Sequence, residues 1–149
     1  VSGRAGRTSG KGKIVIQTFQ PEHQVFQLIQ DQDPSKIYDY FLNERQKFYY
    51  PPFVKVIMIQ FKHIKEDKTD RAIQFFAALL RKHLPPECIL GPEKSPISRL
   101  NNLYQFQILL KLPKNKKYNV YKDLVMKSLA EFEEVQAYKV IKKEVYVDF

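Results

Sequence analysis

Cysteine is nearly absent from this chain, and the absence excludes a good deal. The lone Cys88 cannot form an internal disulfide, and with three scattered histidines (His23, His63, His83) it falls short of the about four ligands that a structural zinc ion takes. No metal and a reducing compartment are expected. No apolar run approaches the roughly 20 residues that span a bilayer, and no apolar signal region follows the basic start, so the expected setting is the cytoplasm, away from membranes. Tryptophan is missing as well. Even so, 11 Phe and 9 Tyr in a composition that is 44% hydrophobic supply ample core material for 149 residues, enough for one ordinary domain or a small domain carrying a piece of another.

Positive charge is what the chain has in excess. Against 16 Asp+Glu stand 25 Lys+Arg, a formal charge of +9 spread along the whole length. A polyanion such as nucleic acid is the natural partner, although a small basic protein can also be no more than soluble. Glycine, scarce elsewhere, gathers at the start, where Gly3, Gly6, Gly10 and Gly12 are four of only five. In Val1-Ser2-Gly3-Arg4-Ala5-Gly6-Arg7 each arginine directly follows a glycine. A guanidinium fork matches phosphate oxygens two at a time, and a neighbouring glycine lets the backbone approach closely, so the segment is a candidate nucleotide contact. The competing reading is a basic tail.

The rest of the chain alternates in period. Lys13 to Phe19 reads as a buried strand, and Pro21 opens a helix to about Ile29 with Val25, Phe26, Leu28 and Ile29 on its buried side. Together they resemble the closing βα unit of a larger α/β domain, since a strand cannot satisfy its backbone alone. Asp33 as N-cap and Pro34 at the first helical position begin a helix through Ile37, Tyr40, Phe41, Glu44, Arg45 and Phe48, and Tyr50-Pro51-Pro52 stops it. From Phe53 the period is two, with Ile57, Ile59 and Phe61 on one face. Lys65 to Asp70 reads as a charged turn, and Ala72, Phe75, Phe76, Leu79, Leu80 and His83 recur at helical spacing. A short strand at Cys88 to Leu90, a polar loop, and a long strand with Tyr104, Phe106, Ile108, Leu110 and Leu112 on one face come next. Asn119 is a plausible cap for a helix through Phe132, and a final strand is expected over Val135 to Val147.

After residue 50 the order is β-α-β-β-α-β. The expected class is therefore α+β, a ferredoxin-like split βαβ arrangement with a four-stranded, mostly antiparallel sheet and helices on one face. Neither central strand carries the Gly-aromatic-Gly-Phe segment that RNA-recognition domains use to stack bases.

Several segments carry a specific likeness. Gly3-Arg4-Ala5-Gly6-Arg7 with Gly12-Lys13-Ile14-Val15-Ile16-Gln17-Thr18 resembles the sixth motif and final strand of superfamily 2 helicases, in particular those of the PriA (primosomal protein N-prime) family of bacterial replication-restart helicases. Glu44-Arg45 with Tyr50-Pro51-Pro52-Phe53, Leu90-Gly91-Pro92 with Ser95-Pro96-Ile97 and Arg99-Leu100, Tyr104 to Lys111, and Val147-Asp148 resemble that family's C-terminal domain, whose fold is similar to ribosomal protein S10. The resemblance implies a division into residues 1–30, the end of the second helicase lobe, and residues 31–149, a DNA-binding C-terminal domain. It also implies that the chain is a fragment. The family's ATP-binding loop, metal-binding acidic motif and zinc-bound cysteines have no counterpart, and the glutamine that opens the helicase motif would lie just before Val1.

The implied parent is an ATP-dependent 3′–5′ DNA helicase that recognises stalled or branched forks and promotes primosome assembly and replication restart. It would use ATP, Mg and zinc, be cytoplasmic and nucleoid-associated, and work with other primosome proteins. The fragment alone is expected to hold no cofactor and to be inactive. Arg4 and Arg7, with Gly3 and Gly6, would contact ATP phosphates across the cleft, Arg7 as the finger that stabilises charge on the transferring phosphoryl group, a role worth about 10³-fold or more in rate. For DNA, forked or single-stranded, the candidates are Lys94, Arg99, Asn101, Asn102, Tyr104, Lys111, Lys114, Lys116 and Lys117, with Tyr104 or a neighbouring aromatic stacking on an unpaired base. A solvated lysine face is the alternative for Lys114 to Lys117. The family is recruited by the acidic, Phe-ending tail of single-stranded DNA-binding protein, for which Lys111 or Lys114 is a candidate contact.

Other chemistry is weakly represented. Cys88 with nearby His83 is better read as a packed thiol than as a nucleophile and base, and Glu131, Glu133 and Glu134 as a solvated face. Tyr49-Tyr50-Pro51-Pro52 is a helix stop rather than a polyproline ligand. The alternative to the helicase reading is a stand-alone S10-like or ferredoxin-like module that binds RNA or protein without ATP chemistry.

Overall fold

The computed structural model of the chain describes residues 14–147. They fall into two compact units divided after Leu42, inside a helix. In the first unit, residues 14–18 have no regular structure, and Ile14, Val15, Ile16 and Phe19 are exposed. The strand expected over Lys13 to Phe19 is thus not formed among the described residues, which is the outcome when a β-prone run has no neighbouring ladder to bond. Helix α1 is Gln24–Gln30, later than the expected start at Pro21. His23 caps it, its Nδ1 accepting from the Val25 N–H at 3.3 Å. No residue of α1 is fully buried, and Ile29 is 46% exposed. Helix α2 is Pro34–Lys47, and Asp33 caps it as expected, Oδ1 accepting from the N–H groups of Ser35 (3.0 Å) and Lys36 (3.4 Å).

The second unit holds a four-stranded sheet built from β1 (Val54–His63), β2 (Ile89–Leu100), β3 (Leu103–Pro113) and β4 (Lys142–Val147), in the order β2-β3-β1-β4. All three neighbouring pairs are antiparallel. Registers Ile57↔Leu110, Ile59↔Ile108 and Phe61↔Phe106 put the apolar alternates of the two central strands on one face. Helices α3 (Glu66–His83) and α4 (Tyr118–Glu133) cover that face, α3 with Ala72, Ile73, Phe76 and Leu80, α4 with Val125 and Phe132. Buried Thr69 and Ser128 satisfy their hydroxyls on their own helices, donating to Lys65 O and Leu124 O.

Four boundaries in this unit differ from those expected of the sequence. The charged stretch Lys65 to Asp70 is mostly the first turn of α3, where Glu66 and Asp67 complement the exposed N–H groups, as Arg81, Lys82 and His83 complement the carbonyls at the other end. Strand β2 is long, not a stub followed by a polar loop. Gly91 at φ 94 and shifts in register between Leu90 and Glu93 and between Lys94 and Arg99 break its alternation, so the sequence shows no period of two there. The last strand is short. Gln136–Tyr138 forms a 3₁₀ turn that stacks Tyr138 on Phe132 at 5.4 Å, and buried Ile141 precedes β4. Asn119 is not the cap of α4, which starts one residue earlier.

Candidate nucleic-acid interface

Asn101 (φ 50) and Asn102 (φ 61) make the two-residue turn between β2 and β3. Both central residues of such a hairpin turn need left-handed backbone, which asparagine tolerates, so these two have a structural reason to be present. The turn sets Arg99 opposite Tyr104 in register, with the guanidinium 5.0 Å from the ring centroid. Arg99 Nη2 also donates to Asn102 Oδ1 at 3.4 Å. Arg99 is thus steadied by a ring and an amide at the hairpin tip, with no carboxylate paired to it among the described residues. Lys94 differs. Its Nζ lies 2.6 Å from Glu66 Oε1, and that hydrogen bond and charge push its pKa up. It is turned back onto α3.

At the other end of β3 the cations are Lys111, Lys114, Lys116 and Lys117. Lys111 Nζ donates to Phe48 O at 2.9 Å and stands 3.8 Å from the centroid of the Tyr50 ring. The other three are exposed in the link to α4, where the Lys114 N–H bonds Phe53 O (3.1 Å) and the Lys117 N–H bonds Asn115 Oδ1 (2.9 Å). Eleven-residue β3 separates the two groups by about 30 Å. Eight of the nine residues singled out for DNA therefore form two clusters, not one patch, and Lys94 stands apart from both against Glu66.

The sheet face away from the helices is of a third kind. Phe61 and Phe106 point into the core, so the central strands offer Met58, Gln60, Gln105, Gln107 and Leu109 to a trough of ≈ 480 Å³ that Ile97 and Leu100 close on the β2 side. The central strands themselves bring no ring to this trough for the base stacking of the RNA-recognition mode, and Tyr50 lines it from the turn after α2. On the β4 side Glu144 accepts from Lys62, Lys142 and Tyr146, and these bonds hold its pKa down to about 2.

Arg4, Arg7, Gly3 and Gly6 lie outside the described residues. Burial and the charge of Glu87 push the Cys88 thiol up, away from a thiolate, and His83 Nε2 faces Glu131 Oε1 at 3.5 Å. Glu133 pairs with Lys143 at 2.6 Å, as expected of a solvated face. Among the described residues no cluster of three or more His, Cys, Asp or Glu could hold a metal, and no helix is long and apolar enough to cross a membrane. Phe48 is expected on the helix and Tyr49-Tyr50-Pro51-Pro52 as its stop. The helix ends at Lys47, and Phe48, Tyr49 and Tyr50 follow it exposed at 52%, 65% and 45%. Three consecutive rings after a basic helix end, with Arg45 and Lys47, were the available signal.

The sequence model described as the primosomal protein N C-terminal domain matches residues 46–149. The chain is 35% identical over 114 residues to replication restart protein PriA of Synechocystis sp., covering 76% of this chain and 14% of the relative. For the protein of the same name from Bacillus subtilis the identity is 32% over 112 residues, covering 74% and 14%. For that of Treponema pallidum it is 33% over 114 residues, covering 76% and 17%. The chain spans about a seventh of the length of the first two.

Proposed function

Because the chain belongs to the primosomal protein N C-terminal domain family, we propose that it is the DNA-contacting end of an ATP-dependent 3′–5′ helicase that recognises stalled or branched forks and promotes primosome assembly and replication restart. The observation that carries the DNA contact is Arg99, an exposed guanidinium fixed at a hairpin tip with no carboxylate paired to it among the described residues. Such a fork donates two bonds to a phosphate at little further cost in ordering. Lys114, Lys116 and Lys117 supply a second backbone contact about 30 Å away, a span that suits a branched substrate with two arms. The strand order and the two helices on one face support a ferredoxin-like, S10-like reading of the fold.

In the complete protein, Arg4 and Arg7 would complete an ATP–Mg site with Gly3 and Gly6, zinc would belong to a region outside this chain, and the setting would be cytoplasmic and nucleoid-associated. Primosome proteins and the acidic tail of single-stranded DNA-binding protein are the proposed partners, the latter beside Lys111 or Lys114. The test is anisotropy titration of the 149-residue chain with a labelled fork and a duplex of equal length, at low and at physiological salt. Saturable binding that weakens with salt and favours the fork is expected. No binding at low salt would remove the DNA reading.

A further inference from the structure

Where α2 stops, Phe48, Tyr49 and Tyr50 follow in a row on a firmly held turn. The Tyr50 N–H bonds Arg45 O (2.7 Å) and the Tyr49 N–H bonds Gln46 O (3.2 Å), the paired closure that ends many helices. Arg45 Nη1 donates to Pro51 O at 3.0 Å, and Lys111 ties Phe48 O and covers Tyr50. This closure needs a left-handed residue at Tyr49, which sits at φ 53. Glycine fits there freely, whereas a tyrosine is strained. Packing does not explain the choice, because the Tyr49 ring is 65% exposed. A strained, exposed aromatic on a rigid turn is accounted for by what it meets outside the fold.

The surroundings indicate its chemistry. Phe48 and Tyr49 border a cavity of ≈ 390 Å³ walled by Pro85, Leu90, Pro113 and Tyr121, with Lys111 and Glu87 at its edge. Lys114, Lys116 and Lys117 follow directly on β3 beside it, and Lys47 precedes the rings with its Nζ 5.4 Å from the Phe48 centroid. Flat apolar faces among several cations suit a ligand that is itself flat-ringed and polyanionic. We infer that Phe48 and Tyr49 form a stacking platform for unpaired nucleobases of a single strand whose phosphates run along Lys114 to Lys117. Every base has a π-face, so the platform is indifferent to sequence, and it is separate from Arg99 at the far end of β3.

The inference rests on the nucleic-acid reading above, and the experiment separates the two. The 149-residue chain, Tyr49→Gly, Tyr49→Phe and Arg99→Ala are titrated with an oligothymidylate carrying one 2-aminopurine and with a duplex of equal length, and each variant's unfolding midpoint is measured. The wild type is expected to change the 2-aminopurine emission through stacking. Tyr49→Gly, whose backbone suits the turn, should keep or raise the unfolding midpoint, lose single-strand affinity by about tenfold, abolish the emission change and leave duplex binding as it was. Tyr49→Phe should retain both. Equal single-strand binding by Tyr49→Gly and wild type overturns the platform, as does an equal loss on the duplex. Duplex binding by the wild type without any emission change overturns the platform while the nucleic-acid reading stands. Binding to neither overturns both, and saturable binding of an acidic peptide alone would give the surface to a protein partner instead.

Discussion

Arg99 and Tyr104 face each other across the β2–β3 hairpin one rung before its Leu100–Leu103 end, the guanidinium stacked 5.0 Å from the ring centroid. Stacking fixes the plane of the guanidinium without occupying its edges, which stay able to donate. Arg99→Ala should therefore lower DNA affinity at every sequence tested and reduce the slope of log affinity against log salt by about one phosphate contact. Arg99→Lys, which neither stacks flat nor donates as a fork, should recover the slope and only part of the affinity. Titration at several salt concentrations reads both, and an unchanged slope in Arg99→Ala would remove this residue from the interface.

Gly91 carries a sharper constraint. At φ 94 it lies where L side chains are strained, and a β-carbon there would come within 3.1 Å of Gln107 O and 3.2 Å of Glu93 N, both backbone atoms that the β2–β3 ladder holds in place. Gly91→Ala should cost about 1–3 kcal/mol from strain and close contact together. The denaturant midpoint should fall with an unchanged slope; a midpoint equal to the wild type would show that β2 can shift to accept the methyl group.

Glu144 gives the domain an acid-sensitive joint. Its carboxylate accepts from Lys62, Tyr146 and Lys142, which hold its folded pKa to about 2, well below the usual carboxylate range. A depressed folded pKa means that the contribution is complete above the unfolded value near about 4.3 and fades as pH falls towards 2. Glu144→Gln should thus be less stable than wild type at neutral pH, and the two stability curves should converge between about pH 5 and pH 2. Thermal unfolding across that range checks it; parallel curves would show that the bonds on Glu144 contribute nothing to folding.

How far the sequence disclosed this protein depended on how regular each element is. In α3 and on the inner face of β3 the spacing of Phe76, Leu80, Ile108 and Leu110 is undisturbed, and both elements were legible. Most of β2 was hidden because Gly91, Pro92 and Pro96 interrupt the alternation while the ladder continues past them through shifted registers. The apolar residues before β4 suggested a longer strand, but Tyr138 and Ile141 serve the core through a turn. Lys13 to Phe19 carries strand propensity with no ladder beside its described residues, and propensity alone forms no strand. Candidate DNA contacts were legible as residue types but not as a place. Sequence proximity joined Lys94, Arg99 and Lys111, whereas one faces Glu66, one sits at the hairpin tip and one is tied to Phe48.

Phe132 is the residue on which the two layers of the second unit converge. Its ring meets Phe61 at 4.9 Å from the sheet, Phe76 at 5.6 Å from α3, and Tyr138 at 5.4 Å with an interplanar angle of 4°. It is 1% exposed, so removing the ring leaves a void bounded by the sheet, α3 and the turn before β4. Phe132→Ala should cost about 3–5 kcal/mol, the range for an aromatic deleted from a core that relaxes only in part. Phe132→Leu keeps much of the volume but loses the aromatic edges, and should cost less. Tyr138→Ala should cost less again, since that ring is half-buried and covers Phe132 rather than supporting the sheet. Chemical denaturation of the three variants orders them, and a Tyr138→Ala loss as large as that of Phe132→Ala would mean that the turn, and not the interior ring, anchors β4.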